Sequence, residues 1–594
     1  MKKLHTTALV ATIAFFATNA AYGQTLNAGD ISRELEKTLP SLKSGEIGKS
    51  AEPSKTVSPK ESEQKENKPI ADPTKNLPSK ETLGSPIVEI YLFSPVLKTE
   101  ILNLLRHRMF GHKAITTEDL VYVRQKVWDM GIKNKKLLHV DFKVVPNPRE
   151  SQYSWLIVNV INIAVRNVKI ESDGTIRQSL LDSIQREMSR DYKRGKSLDL
   201  NDLDNKIKTR LRLGDVLLRT AIIPVDEKHV DLKVSVKSTQ KTPNSGLLQL
   251  DNDGGWSFGR DRIIGGASLR GALPGDEINL MMMKTADLGN FDYGNGMYFI
   301  RAEYQFPIGE LGVRSDTWAS GLHYHEVRAA GGNQTNGEAL EFGQGVIKPM
   351  YTDKTTMIDV RADFVMKYTV DRVLEDVRTS EKAAYLGRIR TILSQTLGNS
   401  QWLQATLDLT QGTIDLSGNK QAFTQDQAGP RVNGLFTKAE INGAWQGIVG
   451  EDDRTDFRLG FKGQWAIKNL DSMEKFSLGG STGLRAFGSG EASGDVGFMV
   501  NGDLGYTFKN GIRPFVLYDV GMIRENISSW TGSNTKDYAL QDLGVGVSKK
   551  FDPVNLSFTF AHQVGPNPGL SAQGLDVDNS KQHYRIWASV SYRY

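Results

Sequence analysis

Over the C-terminal 350 or so residues, apolar and polar positions alternate with a period of two. In the final segment, His583 to Tyr594, every even position (Tyr584, Ile586, Ala588, Val590, Tyr592, Tyr594) is apolar or aromatic, and most odd positions are polar. The same dyad runs through Val496 to Phe508, Phe457 to Ile467, Ile358 to Tyr368 and Tyr298 to Phe306. Side chains of a strand point alternately to opposite faces, so each segment offers one face to lipid and one to water. Strands of about ten residues with aromatics near their ends, separated by Gly, Asn and Asp turns, are the pattern of an outer-membrane barrel. At about 22 residues per strand and connection, residues 239–594 predict a transmembrane antiparallel barrel of about 16 strands, wide enough for an aqueous lumen. A soluble β sandwich is the competing reading, but it leaves the aromatic strand ends and the Arg, Lys and Asp of the inner face without explanation.

Upstream, helical periodicity alternates with strand-like runs. Residues 87–163 predict a strand (Ile87 to Phe93), a helix (Leu97 to Phe110), a second helix opened by Thr116-Thr117-Glu118-Asp119, and strands at Leu138 to Val145 and Trp155 to Ile163. Residues 164–238 predict the same β-α-α-β-β order: Val165 to Ile170, a helix from Ile176 to about Tyr192, another from Leu200 to Leu213, then Leu217 to Pro224 and Val230 to Val236. One order used twice at about 75 residues is an internal repeat, each copy large enough for one modest core. The chain is therefore mainly β, with two small α+β domains before the barrel.

The N-terminus has the layout of a cleaved secretory signal peptide over residues 1–23: Lys2-Lys3, an apolar run from Ala8 to Ala17, and small residues ending at Gly23. The run is short of the ~20 residues a spanning helix needs. In residues 24–42, Ile31, Leu35 and Leu39 recur at helical spacing, with Asp30 or Ser32 as cap and Pro40 as stop. A helix this short is marginal alone and needs something to dock against. Residues 43–86, rich in Pro, Lys, Glu and Ser with almost no large apolar side chains, cannot offset the entropy of ordering and read as a disordered tether.

Composition narrows the function. Among 594 residues, 74 Lys and Arg against 69 Asp and Glu leave a formal charge of +5, too little to imply nucleic acid as a partner. The absence of cysteine excludes disulfides, zinc–thiolate sites, iron–sulfur clusters and thiol nucleophiles. Neither His-Glu-x-x-His nor a Walker sequence occurs, and Gly488, Gly490 and Gly494 have the wrong spacing for a dinucleotide loop. No cofactor and no enzymatic activity is expected. His323 and His325 are read as two inward-pointing side chains of one strand, more in keeping with polar lining than with a metal site.

Signal peptide, tethered amphipathic helix, paired β-α-α-β-β domains and barrel, in that order, resemble the transporter component of two-partner secretion systems. This is the TpsB family of haemolysin, haemagglutinin and haemopexin-binding-protein exporters, whose small domains are termed POTRA domains. The resemblance rests on Ala28 to Glu36 for the early helix, Leu248 to Gly254 for the first barrel strand and Tyr304 to Gly309 nearby. It is most specific in Phe476-Ser477-Leu478-Gly479-Gly480-Ser481-Thr482-Gly483-Leu484-Arg485-Ala486-Phe487 with Gly490-Glu491 and Gly494 to Gly497. This stretch is similar to the family's inward-folded extracellular loop, around residues 479–497, whose tip usually reads Val-Arg-Gly-Tyr or Val-Arg-Gly-Phe. Here Leu484, Arg485, Ala486 and Phe487 occupy it, and Ala486 takes the place of a glycine.

An arginine inserted into a lumen needs an anionic partner. In Pro514 to Gly521, with Val516, Tyr518 and Val520 facing lipid, Asp519 faces inward, and it matches the Asp of a family strand motif that pairs with the loop arginine. Asp519 is the first candidate partner and Asp503 the second. The resemblance implies an outer-membrane protein with periplasmic POTRA domains that exports a large secreted passenger of adhesin, cytolysin or haem-scavenging type. Ile31, Leu35 and Leu39 would then form a helix plugging the resting lumen. A barrel-assembly factor of the same superfamily, a passive porin and an outer-membrane enzyme are the alternatives.

Overall fold

The computed structural model describes residues 82–83 and 86–594, except 110–113, 173–175, 177, 191, 193–197, 212–215, 227, 239–243, 271–275, 289–295, 309–311, 327–334, 354, 374–376, 399, 451–452, 532 and 534. The expected signal peptide, amphipathic helix and most of the tether lie outside the described residues. The chain divides into two compact units, one of them holding residues 41–240 and the other the barrel.

In the first unit, β1 (Ile87–Phe93), α1 (Lys98–Met109), α2 (Thr117–Lys133), β2 (Leu138–Pro146) and β3 (Ser154–Asn162) form one small α+β region. β3 lies in the middle, parallel to β1 and antiparallel to β2. A capping box starts α2: the Thr116 hydroxyl accepts the Asp119 N–H, and the Asp119 carboxylate accepts the Thr116 N–H at 3.2 Å. Ile101, Leu105, Val123 and Val127 bury one helical face each against Leu156, Val158 and Val160. The second region repeats the plan with β4 (Ala164–Ser172), α3 (Gln178–Ser189), α4 (Leu200–Leu211), β5 (Val216–Pro224) and β6 (His229–Ser238), β6 being central.

The two copies do not keep wholly separate cores. Leu137, next to β2, and Trp128 of α2 pack into the second core, with Ile184, Met188 and Leu232. The Ile163 N–H donates to the Leu137 carbonyl at 2.9 Å, and Lys136 pairs with Asp199 across the joint. One residue separates β3 from β4, too few for a flexible linker.

In the second unit, 16 antiparallel strands close into a barrel. They are β7 (Ser245–Asp251), β8 (Asp261–Arg270), β9 (Glu277–Ala286), β10 (Gly296–Pro307), β11 (Arg314–His325), β12 (Thr335–Thr352), β13 (Thr356–Val373), β14 (Val377–Leu397), β15 (Gln401–Asp415), β16 (Gly434–Val449), β17 (Thr455–Ala466), β18 (Val496–Tyr506), β19 (Ile512–Arg524), β20 (Asp537–Phe551), β21 (Val554–Gln563) and β22 (Tyr584–Arg593). A helix, α5 (Lys420–Ala428), sits between β15 and β16. β22 pairs with β7, from Ser589 opposite Asp251 to Arg593 opposite Leu247, so no edge is left open to lipid. Leu248, Ile300, Phe364, Val516, Tyr518 and Ile586 are among the large apolar side chains exposed on the outer face. The inner face carries ion pairs within and between strands, such as Arg361 with Asp316 at 2.6 Å and Arg390 with Asp408 at 2.5 Å.

One sequence expectation needs correcting. His323 and His325 do not point into the lumen: in β11 the buried inward positions are Trp318, Ser320, Leu322 and Tyr324, and the histidines share the opposite face with exposed Ala319. The alternation runs one residue out of phase with that expectation, because Tyr324 between the two histidines is a buried core aromatic and not a lipid-facing one. Among the described residues no group of three or more His, Asp or Glu side chains is placed to hold a metal ion.

Candidate functional site

The segment joining β17 to β18, residues 467–495, folds back along the inner wall. Its base is tied by charge. Asp471 caps a short 3-10 turn, Ser472–Glu474, and pairs with Lys382 of β14 at 2.9 Å. Glu474 lies between Lys367 of β13 at 2.8 Å and Lys438 of β16 at 3.0 Å. Lys475 reaches Asp495 at the other end of the segment at 3.0 Å, and Phe476–Ser477 pairs with Ser493–Gly494 as a minimal hairpin.

Beyond the hairpin the tip is seated by burial. Leu478, Leu484, Ala486 and Phe487 pack against Met499, Phe515, Leu517, Ile523, Leu540 and Ala561 of the wall. Full burial of a Leu or Phe side chain is worth about 1.5–3 kcal/mol, so the tip is held by apolar contact as well as charge. Gly521 opens the room: a Cβ there would lie 2.7 Å from Leu478 Cδ2 and 3.2 Å from Leu484 Cδ1.

At the centre of the apolar seat stands Arg485. Its Nε donates to Asp519 Oδ2 at 2.8 Å and its Nη2 to Asp519 Oδ1 at 2.6 Å, while its backbone N–H also donates to Oδ2 at 3.1 Å. Nη2 further reaches the Gly502 carbonyl at 2.9 Å. The expected pair of Arg485 with Asp519 is therefore formed directly. Asp503 is more distant, its Oδ2 3.8 Å from Arg485 Nη1, and is bound chiefly by Arg513 at 2.5 Å, which also takes Asp456 at 2.7 Å.

Three wall residues at the tip have no counterpart among the sequence candidates. Asp542 of β20 accepts the Ala486 N–H at 3.1 Å, Gln563 of β21 donates to the Ala486 carbonyl at 3.3 Å, and Trp587 of β22 donates to the Arg485 carbonyl at 2.6 Å. A signal for Asp542 existed: with Leu543, Val545 and Val547 facing outward, alternation puts it on the inner face, one strand beyond Asp519. Ala486 is not in the left-handed region of φ, so the replacement of the family's glycine strains nothing. Further along, Ser481 bonds to Asp253, and the Glu491 carboxylate accepts the Val577 N–H at 2.8 Å. Ile31, Leu35 and Leu39 fall outside the described residues.

The segment is a loop docked inside a barrel by charge pairs and apolar contact.

Comparison with known proteins gives the family and the fold. The model of a family described as haemolysin secretion/activation protein ShlB/FhaC/HecB matches residues 231–548, more than half of the chain. The heme/hemopexin transporter protein HuxB of Haemophilus influenzae strain 86-028NP is 21% identical over 546 residues, covering 86% of this chain and 87% of the relative. HuxB of Haemophilus influenzae strain ATCC 51907 / DSM 11121 / KW20 / Rd is 25% identical over 374 residues, 58% of this chain and 59% of the relative. Among solved structures, CdiB from Escherichia coli superposes with a TM-score of 0.65 at 16% identity, over 89% of this chain and 93% of that one. CdiB from Acinetobacter baumannii gives 0.62 at 15% identity, over 98% and 99%. At such identities the two structures speak for the fold.

Proposed function

Because the chain belongs to the haemolysin secretion/activation family of outer-membrane transporters, we propose that it exports one dedicated secreted protein through its barrel, gated by the Arg485 loop. The family exports large secreted proteins, the barrel belongs in the outer membrane, and the chain is a transporter rather than an enzyme.

The two β-α-α-β-β regions serve as POTRA domains that receive the unfolded N-terminal part of the passenger on the periplasmic side. Exposed sheet edges and grooves supply main-chain hydrogen bonds with little demand on sequence. The passenger is of adhesin, cytolysin or haem-scavenging type, in keeping with the names of the relatives. The segment bearing Ile31, Leu35 and Leu39 plugs the resting lumen and leaves during transport, on a tether long enough to let it go. The loop tip then shifts to widen the passage. With no nucleotide available in the periplasm, folding of the passenger outside supplies the driving force.

The observation that carries this reading is the Arg485 guanidinium laid along Asp519 inside a closed barrel, a charge pair that holds a loop against the inner wall. Deleting the gene tests it. Loss of one protein from the medium, with the outer-membrane proteome unchanged, supports export; a general loss of outer-membrane barrels would show an assembly factor instead.

A further inference from the structure

We propose that Asp542 is a positioning residue of the transporter, a main-chain clasp that seats the loop tip so that Arg485 can reach Asp519. The proposal rests on the reading of the 467–495 segment as the transporter's movable loop.

The Arg485–Ala486 dipeptide is gripped from four consecutive strands. Asp519 of β19 takes the guanidinium and the Arg485 N–H, Asp542 of β20 the Ala486 N–H, Gln563 of β21 the Ala486 carbonyl, and Trp587 of β22 the Arg485 carbonyl. All four grips therefore include a contact with backbone, and those of Asp542 and Gln563 are to groups that any residue but proline would present at 486. Asp542 is wholly buried, as is Asp519, which stands opposite it in the β19–β20 ladder. A buried N–H left without an acceptor is costly, so the Ala486 N–H favours the seated position only while Asp542 is there to receive it.

Among the described residues Asp542 Oδ1 has no hydrogen-bond partner; the contact of this carboxylate with the loop is made by Oδ2. Asparagine could do that work equally well, because its carbonyl oxygen accepts the same N–H and its NH₂ would face the Asp519 side of the ladder. Alanine cannot. A residue that acted through its negative charge would instead be lost in both variants. Main-chain capture is also compatible with alanine at the tip: Ala486 presents the same N–H that glycine would, and its methyl group is buried in the apolar seat.

The experiment uses the full-length protein in outer membranes. The chain has no cysteine, so a Leu484→Cys thiol is a single probe at a position that is fully buried when the tip is seated. Its rate of modification by a water-soluble maleimide reports unseating, whether or not a passenger is exported. Adding Asp542→Ala is expected to raise the rate at least tenfold, while Asp542→Asn stays within twofold of the parent. An unchanged rate in Asp542→Ala overturns the proposal. So does a tenfold rise in Asp542→Asn, and that arm decides by itself if the alanine variant fails to assemble as a heat-modifiable barrel. Failure of the export reading would appear in the deletion strain and leave the labelling result standing.

Discussion

The Arg485 guanidinium lies along the Asp519 carboxylate with two short contacts, 2.8 Å and 2.6 Å, at a place where the carboxylate has no exposure to water. Two-pronged pairs of this kind are directional as well as strong. Their energetic weight shows mainly when one partner goes, because the other is then a buried charge without compensation, at a cost of about 3–5 kcal/mol.

Arg485→Ala and Asp519→Ala are each expected to cut the passenger in the medium by tenfold or more. The barrel should still assemble, since 16 strands of backbone hydrogen bonding do not depend on the pair. Passenger assays alongside heat-modifiable migration separate the two effects. Normal passenger yield in both variants would remove this pair from the mechanism.

A bulky residue at Gly521 has a different consequence. The hypothetical Cβ already comes within 2.7 Å of Leu478, so Gly521→Leu leaves the strand intact but fills the place of the tip. The charge pair is untouched chemically and is prevented sterically. Single-channel recordings of the purified variant should show more frequent or wider openings than the parent; parent-like conductance would mean the seat adapts.

At the loop base, Glu474 shares two lysines from strands three apart in sequence, Lys367 and Lys438. Lys438→Met keeps the volume but leaves Glu474 and Glu440 short of a cation. We expect this variant to lower the temperature at which the barrel loses its fast-migrating folded form, with a penalty of about 3 kcal/mol if no water enters. An unaltered transition temperature would show that Lys367 alone suffices.

The joint between the two small regions should respond to acid. Burial of the Asp199 carboxyl works against its ionisation, but the Lys136 ammonium and the N–H groups of Asn201 and Asp202 outweigh it and hold the carboxyl below its ordinary value. A lowered value in the folded state gives stability that is complete above the unfolded value, about 3.9, and is lost as pH falls through the folded one. The pair is about one-third exposed, so its contribution is about 0.5 kcal/mol. Hydrogen exchange at the Leu198 and Leu200 amides, which bond across the joint, provides the measurement. Asp199→Asn should exchange faster than the parent by a constant ratio from pH 5 to 8, and the ratio should approach one below pH 3. A ratio that grew in acid would contradict the assignment.

Much of this could be read along the chain because two periodicities are local. The dyad of β22 and the placement of Asp519 opposite Val516, Tyr518 and Val520 need only the geometry of a single strand, and both are found as expected. The β-α-α-β-β order was legible for the same reason, and the Thr116-Thr117-Glu118-Asp119 stretch expected to open α2 does so, with Thr116 as its cap. His323 and His325 failed because β11 turns Trp318, Leu322 and Tyr324 inward, so hydrophobicity there marks a packed interior instead of lipid. Leu137 was invisible as a shared core residue, since nothing local distinguishes it from the strand that follows.

Sequence alone determined what depends on neighbours in the chain: amphipathic strands in a stretch long enough for about 16, two copies of one small α+β plan, and an aspartate on the inner face of its strand, while its pairing with the loop arginine was what the family resemblance implied. The tertiary structure decided which distant groups meet. Asp542, Gln563 and Trp587 converge on one dipeptide only because barrel closure brings β20, β21 and β22 round to it, and Lys367, Lys382 and Lys438 reach the loop base for the same reason. Hydrogen bonds to a peptide backbone leave no trace in side-chain pattern, so these contacts follow from the curvature of the closed sheet and from no motif.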